Sequence, residues 1–426
     1  MKRNATKGIP ILRALRSRNY RLFFAGQGVS LIGTWMTQVA TIWLVYHLTN
    51  SAFFLGIVGF SSQIPSFLIA PFGGILVDRW NRHRILLVTQ TLAMIQSLAL
   101  AVLALTGVIQ IWHIIVLSIF QGFINAFDSP ARQAFVTEIV EHREDLGNAI
   151  ALNSSIFNGA RLVGPAMAGL LIATLGTSLC FLIDGISYIA VIAGLLAMKL
   201  KPIKIVPKST ESPWKRIKEG FDYAFNFPPI RSILLLLALF SFMGMPYTVL
   251  VPVFATNILK GGADTLGFLM AASGVGALIG GIYLSSRQSV LGLGKIIAAS
   301  PAILGVGIIS FSLSRVLWLS MLMMLVVGFG SILQIAASNT ILQTIVDDDK
   351  RGRLMSLYTM AFLGTLPFGN LVAGSLAEKI GAPLTLIIGG VCCILASLAF
   401  TKQLPKLRTF IIPIYKRIGV LDNVAS

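Results

Sequence analysis

Apolar residues dominate this chain in twelve long runs that short polar segments separate. A helix needs about 20 mainly apolar residues to cross the hydrocarbon core of a bilayer, and each run is near or above that length. The first six runs are Leu22–Tyr46, Ala52–Val77, Ile85–Leu105, Ile111–Phe127, Leu146–Leu175 and Leu179–Met198. The second six are Ile233–Ala255, Leu266–Leu284, Ile296–Leu313, Leu317–Ile345, Leu354–Leu376 and Leu384–Phe400. The pattern predicts twelve transmembrane helices, which we number spans 1 to 12.

One sustained polar segment, from Lys199 to Arg231, separates the two sets of spans. Its Trp214–Phe225 portion alternates basic and aromatic residues at helical spacing, which is typical of an amphipathic helix that lies on the membrane surface. A solvated tether whose charges only fix the topology explains the same segment equally well. We therefore divide the chain into an N-terminal six-helix bundle (residues 1–200), a linker (201–229) and a C-terminal six-helix bundle with its tail (230–426).

The two sets of six spans show a weak internal repeat. Glu138-Ile139-Val140-Glu141 leads into span 5, which carries Gly164 and Gly169. About 205 residues later, Thr344-Ile345-Val346-Asp347 leads into span 11, which carries Gly369 and Gly374. Repeats of this kind build transporters whose substrate site lies near the bilayer midplane, between the two halves. The sequence therefore predicts an all-α membrane protein made of two pseudo-symmetric six-helix bundles.

Composition and charge agree with a membrane protein. Hydrophobic residues make up 55% of the chain and charged residues 12%, whereas soluble domains average about 25% charged residues. The net charge of +18 does not predict nucleic-acid binding, because the Lys and Arg residues are spread over short loops and not gathered on one soluble face. Of the 34 Lys and Arg residues, 30 lie in the two termini, the linker and alternate loops. The positive-inside rule places these segments in the cytoplasm, so we expect a multi-pass inner-membrane protein with both termini cytoplasmic.

The loop between spans 2 and 3 carries the most specific motif, Gly74-Ile75-Leu76-Val77-Asp78-Arg79-Trp80-Asn81-Arg82-His83-Arg84. It resembles the loop signature of the major facilitator superfamily, with matches at Gly74, Leu76, Asp78, Arg79, Arg82 and Arg84. Asn81 stands where the signature has glycine, a tolerable change because Asn visits the left-handed region of backbone space. The resemblance implies that this loop acts as a conformational latch between the two halves, with the start of span 11 at Gly352-Arg353 as its partner.

Span 5 carries a second motif, with Gly164, Pro165 and Gly169 at its centre. It resembles the G-x-x-x-G-P-x-x-G-G element of facilitator antiporters, which implies export, although close helix packing alone would also explain these residues. The stretch from Phe127 to Phe135, continued by Asn148 to Ser154, is similar to the branch that contains the enterobactin exporter and the macrolide-efflux and secretion permeases. The resemblance to the superfamily covers nearly the whole chain, and that to the branch is strongest over residues 20–200.

Three ionisable residues fall within or at the edge of predicted spans: Asp128, Arg161 and Asp184. A charge is costly in a bilayer, so each is a functional candidate. Asp128 and Asp184 are candidates for proton coupling; the alternatives are a structural pair of Asp128 with Arg132, one turn away, and an interfacial position for Asp184. Counting along spans 5 and 6 predicts that Arg161 lies near the midplane and that Asp184 lies roughly 13 Å shallower, too far away for an ion pair.

Polar side chains recur at steps of three or four residues on spans 1, 4 and 5, and so share a face of each helix. They are candidates for lining a substrate cavity, although interhelical hydrogen bonding is an alternative role. The cavity candidates of the first half are Gln27, Thr34, Gln38, Gln121, Asn125, Asn158 and Arg161. Those of the second half are Tyr247, Gln334 and Tyr358.

No Gly-x-x-x-x-Gly-Lys-[Ser/Thr] loop for nucleotide binding occurs, and the three cysteines show neither a disulfide framework nor a zinc spacing. We therefore expect a transporter and not an enzyme, with no cofactor and no metal. The prediction is a monomeric, proton-coupled exporter of a small organic molecule, siderophore-like or drug-like, whose partners are membrane lipid, its substrate and protons, and not nucleic acid. The alternatives are a lysophospholipid flippase and a non-transporting membrane scaffold or sensor.

Overall fold

A computed structural model describes residues 10–200, 213–287, 289–347 and 350–417, without the side chains of 10, 11, 70–76, 78, 79, 143 and 213–218. Within these residues twelve helices are long and apolar enough to cross a membrane, which confirms the predicted number. Spans 1 to 6 are Arg18–Thr49, Ala52–Arg79, Arg82–Leu105, Ile111–Ile139, Leu146–Leu175 and Thr177–Leu196. Spans 7 to 12 are Pro228–Ile258, Ala263–Ser285, Leu293–Leu313, Leu317–Ile345, Arg351–Ile380 and Ala382–Arg417.

The turns between spans support the predicted repeat. Gly176 joins spans 5 and 6 with φ 86°, and Gly381 joins spans 11 and 12 with the same φ of 86°. A residue at a helix C-terminus often takes this left-handed conformation, which glycine adopts without a steric penalty. The equivalent turns of the two halves therefore require glycine at equivalent positions.

Spans 7 and 11 are less regular than the sequence pattern predicts. Span 7 contains two π-helical segments, Phe240–Gly244 and Phe254–Ile258, and span 11 is interrupted at Gly364 and Thr365. Proline explains much of this irregularity, because Pro246, Pro252 and Pro367 lack the N–H group that continues the helical hydrogen-bond ladder.

The two halves meet closely at one side of the molecule, where span 1 turns into span 2, which we call the distal side. There span 2 crosses span 11 at Gly56 and Gly374, and span 5 crosses span 8 at Gly169 and Gly267. A Cβ atom on Gly56 would lie 3.0 Å from the Cα atom of Gly374, and one on Gly169 would lie 2.9 Å from the Cα atom of Gly267. Glycine is the only residue that allows backbones to approach so closely.

The opposite side carries both ends of the chain, and we call it the terminal side. The crossing of spans 5 and 8 extends from the distal side as far as Gly274, where a Cβ atom would lie 3.1 Å from the carbonyl oxygen of Arg161.

A short helix precedes the first span of each half and is tied to the start of the fifth span of that half. In the first half this helix is Pro10–Arg16, which we call the N-terminal tether, and its Arg13 forms an ion pair with Asp145. In the second half it is the linker helix, Pro213–Asn226, and its Glu219 forms an ion pair with Arg353 at 3.0 Å. The amphipathic segment is thus helical, while its position on the membrane surface stays a prediction.

Candidate functional site

A buried network of charged and polar groups occupies the interior of the first half. Asp128 of span 4 is 4% exposed and forms an ion pair with Arg132, one turn away, as the spacing predicts. Its Oδ1 atom also accepts hydrogen bonds from Thr89 Oγ1 and Gln90 Nε2 of span 3, both at 2.8 Å. Arg132 Nη1 in turn donates to Gln27 Oε1 of span 1 at 2.7 Å. Gln27 therefore belongs to this network, which joins spans 1, 3 and 4.

Asp184 of span 6 lies in a different environment. It is 2% exposed, and its Oδ2 atom accepts a hydrogen bond from Ser97 Oγ of span 3 at 3.0 Å. Its Oδ1 atom has no hydrogen-bond partner among the described residues. Oδ1 lies against span 1, 2.7 Å from the place that a Cβ atom on Gly33 would occupy. Asp184 is therefore buried within the protein, and its role in proton coupling stays a prediction.

Arg161 of span 5 stacks on an aromatic ring. Its guanidinium carbon lies 5.9 Å from the centre of the Trp35 ring, a cation–π distance. The Trp35 ring also contacts Phe157 edge-on, with ring centres 5.8 Å apart. Among the described residues Arg161 forms no ion pair and no side-chain hydrogen bond, so its charge is available to a ligand.

Span 1 shows that the predicted difference in depth between Arg161 and Asp184 is wrong. Asp184 lies against Gly33 and Arg161 lies over Trp35, and two residues rise by only about 3 Å along a helix. Counting from the ends of spans 5 and 6 overestimated the difference, in part because span 6 begins at Thr177 and not at Leu179. Two residues also turn a helix by about 200°, so the charged groups lie on opposite sides of span 1. The charged groups of Arg161 and Asp184 are separated by span 1, which lies between them, and not by a large difference in depth.

The polar faces predicted on spans 1, 4 and 5 remain largely accessible. Thr34, Gln38 and Asn125 are exposed, and Gln121 Nε2 donates to Asn125 Oδ1 at 3.0 Å. Asn158 Nδ2 donates to a carbonyl oxygen of its own helix at 2.8 Å. Amide groups facing lipid would lose the hydrogen bonds that water provides. Such an exposed polar face is what a substrate cavity requires, and the cavity itself stays a prediction.

The three candidates of the second half take part in helix packing. Tyr247 and Tyr358 are 2% and 7% exposed, and Gln334 is fully buried. The Tyr247 hydroxyl lies 3.0 Å from Ser273 Oγ, Gln334 Nε2 donates to Ser338 Oγ at 3.2 Å, and the Tyr358 hydroxyl donates to the Ile335 carbonyl at 3.0 Å. The structure does not bring these residues to the accessible face formed by the first half.

The loop signature is described in part. The side chains of Gly74, Asp78 and Arg79 lie outside the described residues, and Arg84 is exposed. Arg82 forms an ion pair with Glu138 at the end of span 4. Asn81 is not left-handed as its place in the signature suggests: with φ −67° it caps span 3, and its side chain accepts a hydrogen bond from the Arg84 amide at 3.1 Å.

The span 5 motif serves two contacts. Gly164 packs against Trp35 of span 1, and Gly169 forms the distal crossing with Gly267 of span 8. The carbonyl of Pro165 lies 2.6 Å from the place of a Cβ atom on Gly267, so the same crossing extends along the helix. The motif therefore serves close helix packing, within the first half at Gly164 and between the halves at Pro165 and Gly169.

Sequence reasoning missed Glu378, which lies near the distal end of span 11. Its Oε2 atom accepts hydrogen bonds from Ser51 Oγ at 2.9 Å and from the Phe53 amide at 3.2 Å. The contact joins the two halves at the start of span 2. A carboxylate at a loop end gives no signal in the sequence, because nothing there indicates which helix start it reaches.

This architecture is shared with solved membrane transporters of the major facilitator type. A bacterial homologue of the human lysosomal transporter Spinster, in an inward-facing conformation, superposes with a TM-score of 0.70 at 14% identity, over 95% of this chain and 98% of that one. An inward-facing bacterial homologue of the iron transporter ferroportin gives a TM-score of 0.69 at 17% identity, over 91% and 98% of the two chains. The protein has the fold of a major facilitator transporter.

Sequence comparison defines the family more closely. The transmembrane secretion effector family matches residues 10–411, and the chain belongs to this family of transporters. It is 25% identical to the staphyloferrin A transporter of Staphylococcus aureus, over 89% of this chain and 95% of that one. It is 24% identical to macrolide efflux protein A of Streptococcus pyogenes (91% and 98%) and 25% identical to an enterobactin exporter of Shigella boydii (86% of each). The protein is a multi-pass membrane transporter and not an enzyme, as predicted.

Proposed function

We propose that the protein exports a siderophore-like or drug-like organic molecule across the inner membrane by proton-coupled alternating access. The observation that supports this proposal is the exposed polar face of spans 1, 4 and 5, together with the guanidinium of Arg161 on span 5, which has no ion-pair partner among the described residues. The charge count assigns the terminal side to the cytoplasm. The conformation described here is then the one that receives substrate from the cytoplasm, and the distal crossings close the outer side.

Arg161 favours an anionic substrate. A half-buried guanidinium without a protein partner retains its hydrogen-bonding capacity, and a carboxylate or catecholate can satisfy it with two parallel hydrogen bonds. The guanidinium of Arg161 lies over the face of the Trp35 ring, which holds it in place. The ring also adds an aromatic surface for a planar ligand group. Relatives are named for staphyloferrin A, enterobactin and macrolides, and molecules of these classes fit a site of this kind. We expect the anionic substrates among them to depend most on Arg161.

The test measures transport in proteoliposomes with a pH gradient imposed across their membrane. The probes are a catecholate siderophore without iron and an uncharged or cationic drug of the macrolide type. Arg161→Lys keeps the charge and loses the planar fork, so it should reduce siderophore transport far more than drug transport; Arg161→Ala should nearly abolish the former. An equal loss for both probes would assign Arg161 a structural role and overturn the substrate class.

Two further arms address the alternatives and the orientation. Movement of a fluorescent lysophospholipid between leaflets, without transport of either soluble probe, would identify a flippase, and no transport at all would favour a scaffold or sensor. Labelling of an engineered cysteine in residues 201–212 only from the cytoplasmic side would support the charge count.

Asp78→Asn should insert normally and lose most transport if the loop signature acts as a latch; normal transport would remove that role.

A further inference from the structure

The first half holds two buried acids in spans, and their surroundings differ in charge. Asp128 has Arg132 as its counter-ion and accepts two more hydrogen bonds, from Thr89 and Gln90. Both carboxylate oxygens of Asp128 therefore have partners on spans 3 and 4.

Asp184 has none of these partners. Its polar neighbours are hydroxyl groups: those of Thr34 and Thr37 from span 1 and that of Ser97 from span 3. No charged side chain of the described residues faces it from span 1, 3 or 6. One oxygen accepts a single hydrogen bond and the other accepts none.

A carboxylate in such a place would lose its hydration without a compensating charge. Protonation removes the charge and turns one oxygen into a donor, which makes the neutral acid the stable form of an isolated buried carboxyl group. The unpartnered Oδ1 atom of Asp184 is pressed against the backbone of span 1 at Gly33. It is the oxygen that a proton would occupy.

We propose that Asp184 carries the coupling proton and is protonated in the conformation described here. The inference rests on the proton coupling of the proposed function and identifies its residue. Asp128, with its permanent counter-ion Arg132, serves the packing of spans 1, 3 and 4 instead.

Hydroxyl groups lie between Asp184 and the exposed polar face of the first half. Thr34 of span 1 is exposed on that face, and its hydroxyl neighbours the carboxyl group of Asp184. The hydroxyl of Tyr188, which lies one turn from Asp184 on span 6 and is 5% exposed, is 3.5 Å from Thr34 Oγ1. Thr34 is therefore the expected route for proton exchange between this face and Asp184.

Infrared spectroscopy of the purified protein in lipid nanodiscs tests the protonation directly. The wild type at neutral pH should show the C=O stretching band of a protonated carboxylic acid, and Asp184→Asn should remove it. Ser97→Ala should shift this band, because one hydrogen bond to the carboxyl group is lost, while Asp222→Asn, at an exposed acid of the linker helix, should leave it unchanged. A spectrum of Asp184→Asn identical to that of the wild type would overturn the proposal.

A transport arm separates this inference from the proposed function. Proteoliposomes containing wild type should move the siderophore or drug probe faster with an imposed pH gradient, and Asp184→Asn should lose this acceleration. Acceleration retained in Asp184→Asn, or produced by a sodium gradient in place of a proton gradient, would overturn the role of Asp184. A wild type that transports neither probe would contradict the proposed function, while the infrared result would still decide whether Asp184 holds a proton.

Discussion

Glu378 of span 11 accepts hydrogen bonds from the side chain of Ser51 and from the amide of Phe53, at 2.9 Å and 3.2 Å. Span 2 begins at Ala52, so a carboxylate of one half caps the first turn of a helix in the other. The free N–H groups and the dipole of a helix N-terminus favour a negative charge at this place. The proposed alternating access requires the two groups to separate when the distal side opens, so the contact should stabilise the closed distal side.

Glu378→Gln should shift the conformational equilibrium toward an open distal side. Glutamine keeps an acceptor oxygen and removes the negative charge, whose interaction with a helix N-terminus contributes about 0.3–1 kcal/mol, or at most roughly a fivefold change in the ratio of two states. Spin-label distances across the distal side would measure the shift, with Lys379→Gln as the neighbouring control. Equal distance distributions in the wild type and in Glu378→Gln would show that the cap does not influence opening.

The glycine crossing between spans 5 and 8 allows a matched comparison along one helix. A Cβ atom on Gly267 would lie 2.6 Å from the Pro165 carbonyl oxygen, whereas one on Gly281 of the same span would meet nothing within 4 Å. Gly267→Ala should therefore separate the halves at the distal side, and Gly281→Ala should not. Solvent accessibility of cysteines placed near the distal ends of spans 5 and 8 would measure the separation; equal accessibility in both variants would contradict the crossing.

The buried pair of Asp128 and Arg132 predicts a stability effect that a second substitution relieves. Asp128→Asn leaves the Arg132 guanidinium, whose side chain is only 30% exposed, without its counter-ion. Breaking such a pair costs about 3–5 kcal/mol, so the thermal unfolding temperature in detergent should fall clearly. Adding Arg132→Gln should restore much of the loss, because no uncompensated charge remains. Equal unfolding temperatures for the single and double variants would argue against the pair.

Sequence reasoning predicted the spans well and their side-chain relations less well. Leu146–Leu175 and Leu317–Ile345 begin and end where predicted, because loop residues bound both runs sharply. Span 4 instead continues from the predicted end at Phe127 to Ile139, and Pro130 does not end it. The hydrophobic pattern marks the apolar run, and polar residues at its terminal-side end extend span 4 beyond that run.

The candidate site depended on information that spacing does not contain. The pair of Asp128 and Arg132 follows from one helical turn and was predictable. The contact of Asp184 with Gly33 and that of Arg161 with Trp35 depend on how three helices tilt and cross. The sequence shows no sign of such tilts, so the relative depths of the two charges needed the structure.

The end of span 12 supplies a prediction about pH. Arg417 donates a hydrogen bond to Asp347 Oδ1 at 3.1 Å in the loop before span 11. This guanidinium, assisted by Lys350, lowers the pKa of Asp347 below the ordinary value of about 3.9. A lowered pKa means that the contact is fully present above the ordinary value and is lost only as the pH falls through the lowered one.

Hydrogen exchange in residues 405–417, corrected for intrinsic rates, should thus show equal protection at pH 8 and pH 5. Asp347→Asn should loosen this segment at both values, by a modest amount because Arg417 and Asp347 are exposed and water screens the pair. Loosening of the wild type between pH 8 and pH 5 would assign the contact to a different titrating group.

The ion pairs that hold the N-terminal tether and the linker helix have opposite polarity. The tether contributes the base Arg13 and receives the acid Asp145, whereas the linker helix contributes the acid Glu219 and receives the base Arg353. If the two short helices exchanged places, base would face base and acid would face acid. Like charges in contact disfavour the wrong pairing. The polarity of the ion pair thereby distinguishes the two halves of a duplicated architecture. As the spans enter the membrane one after another, this difference favours the pairing of each short helix with its own bundle.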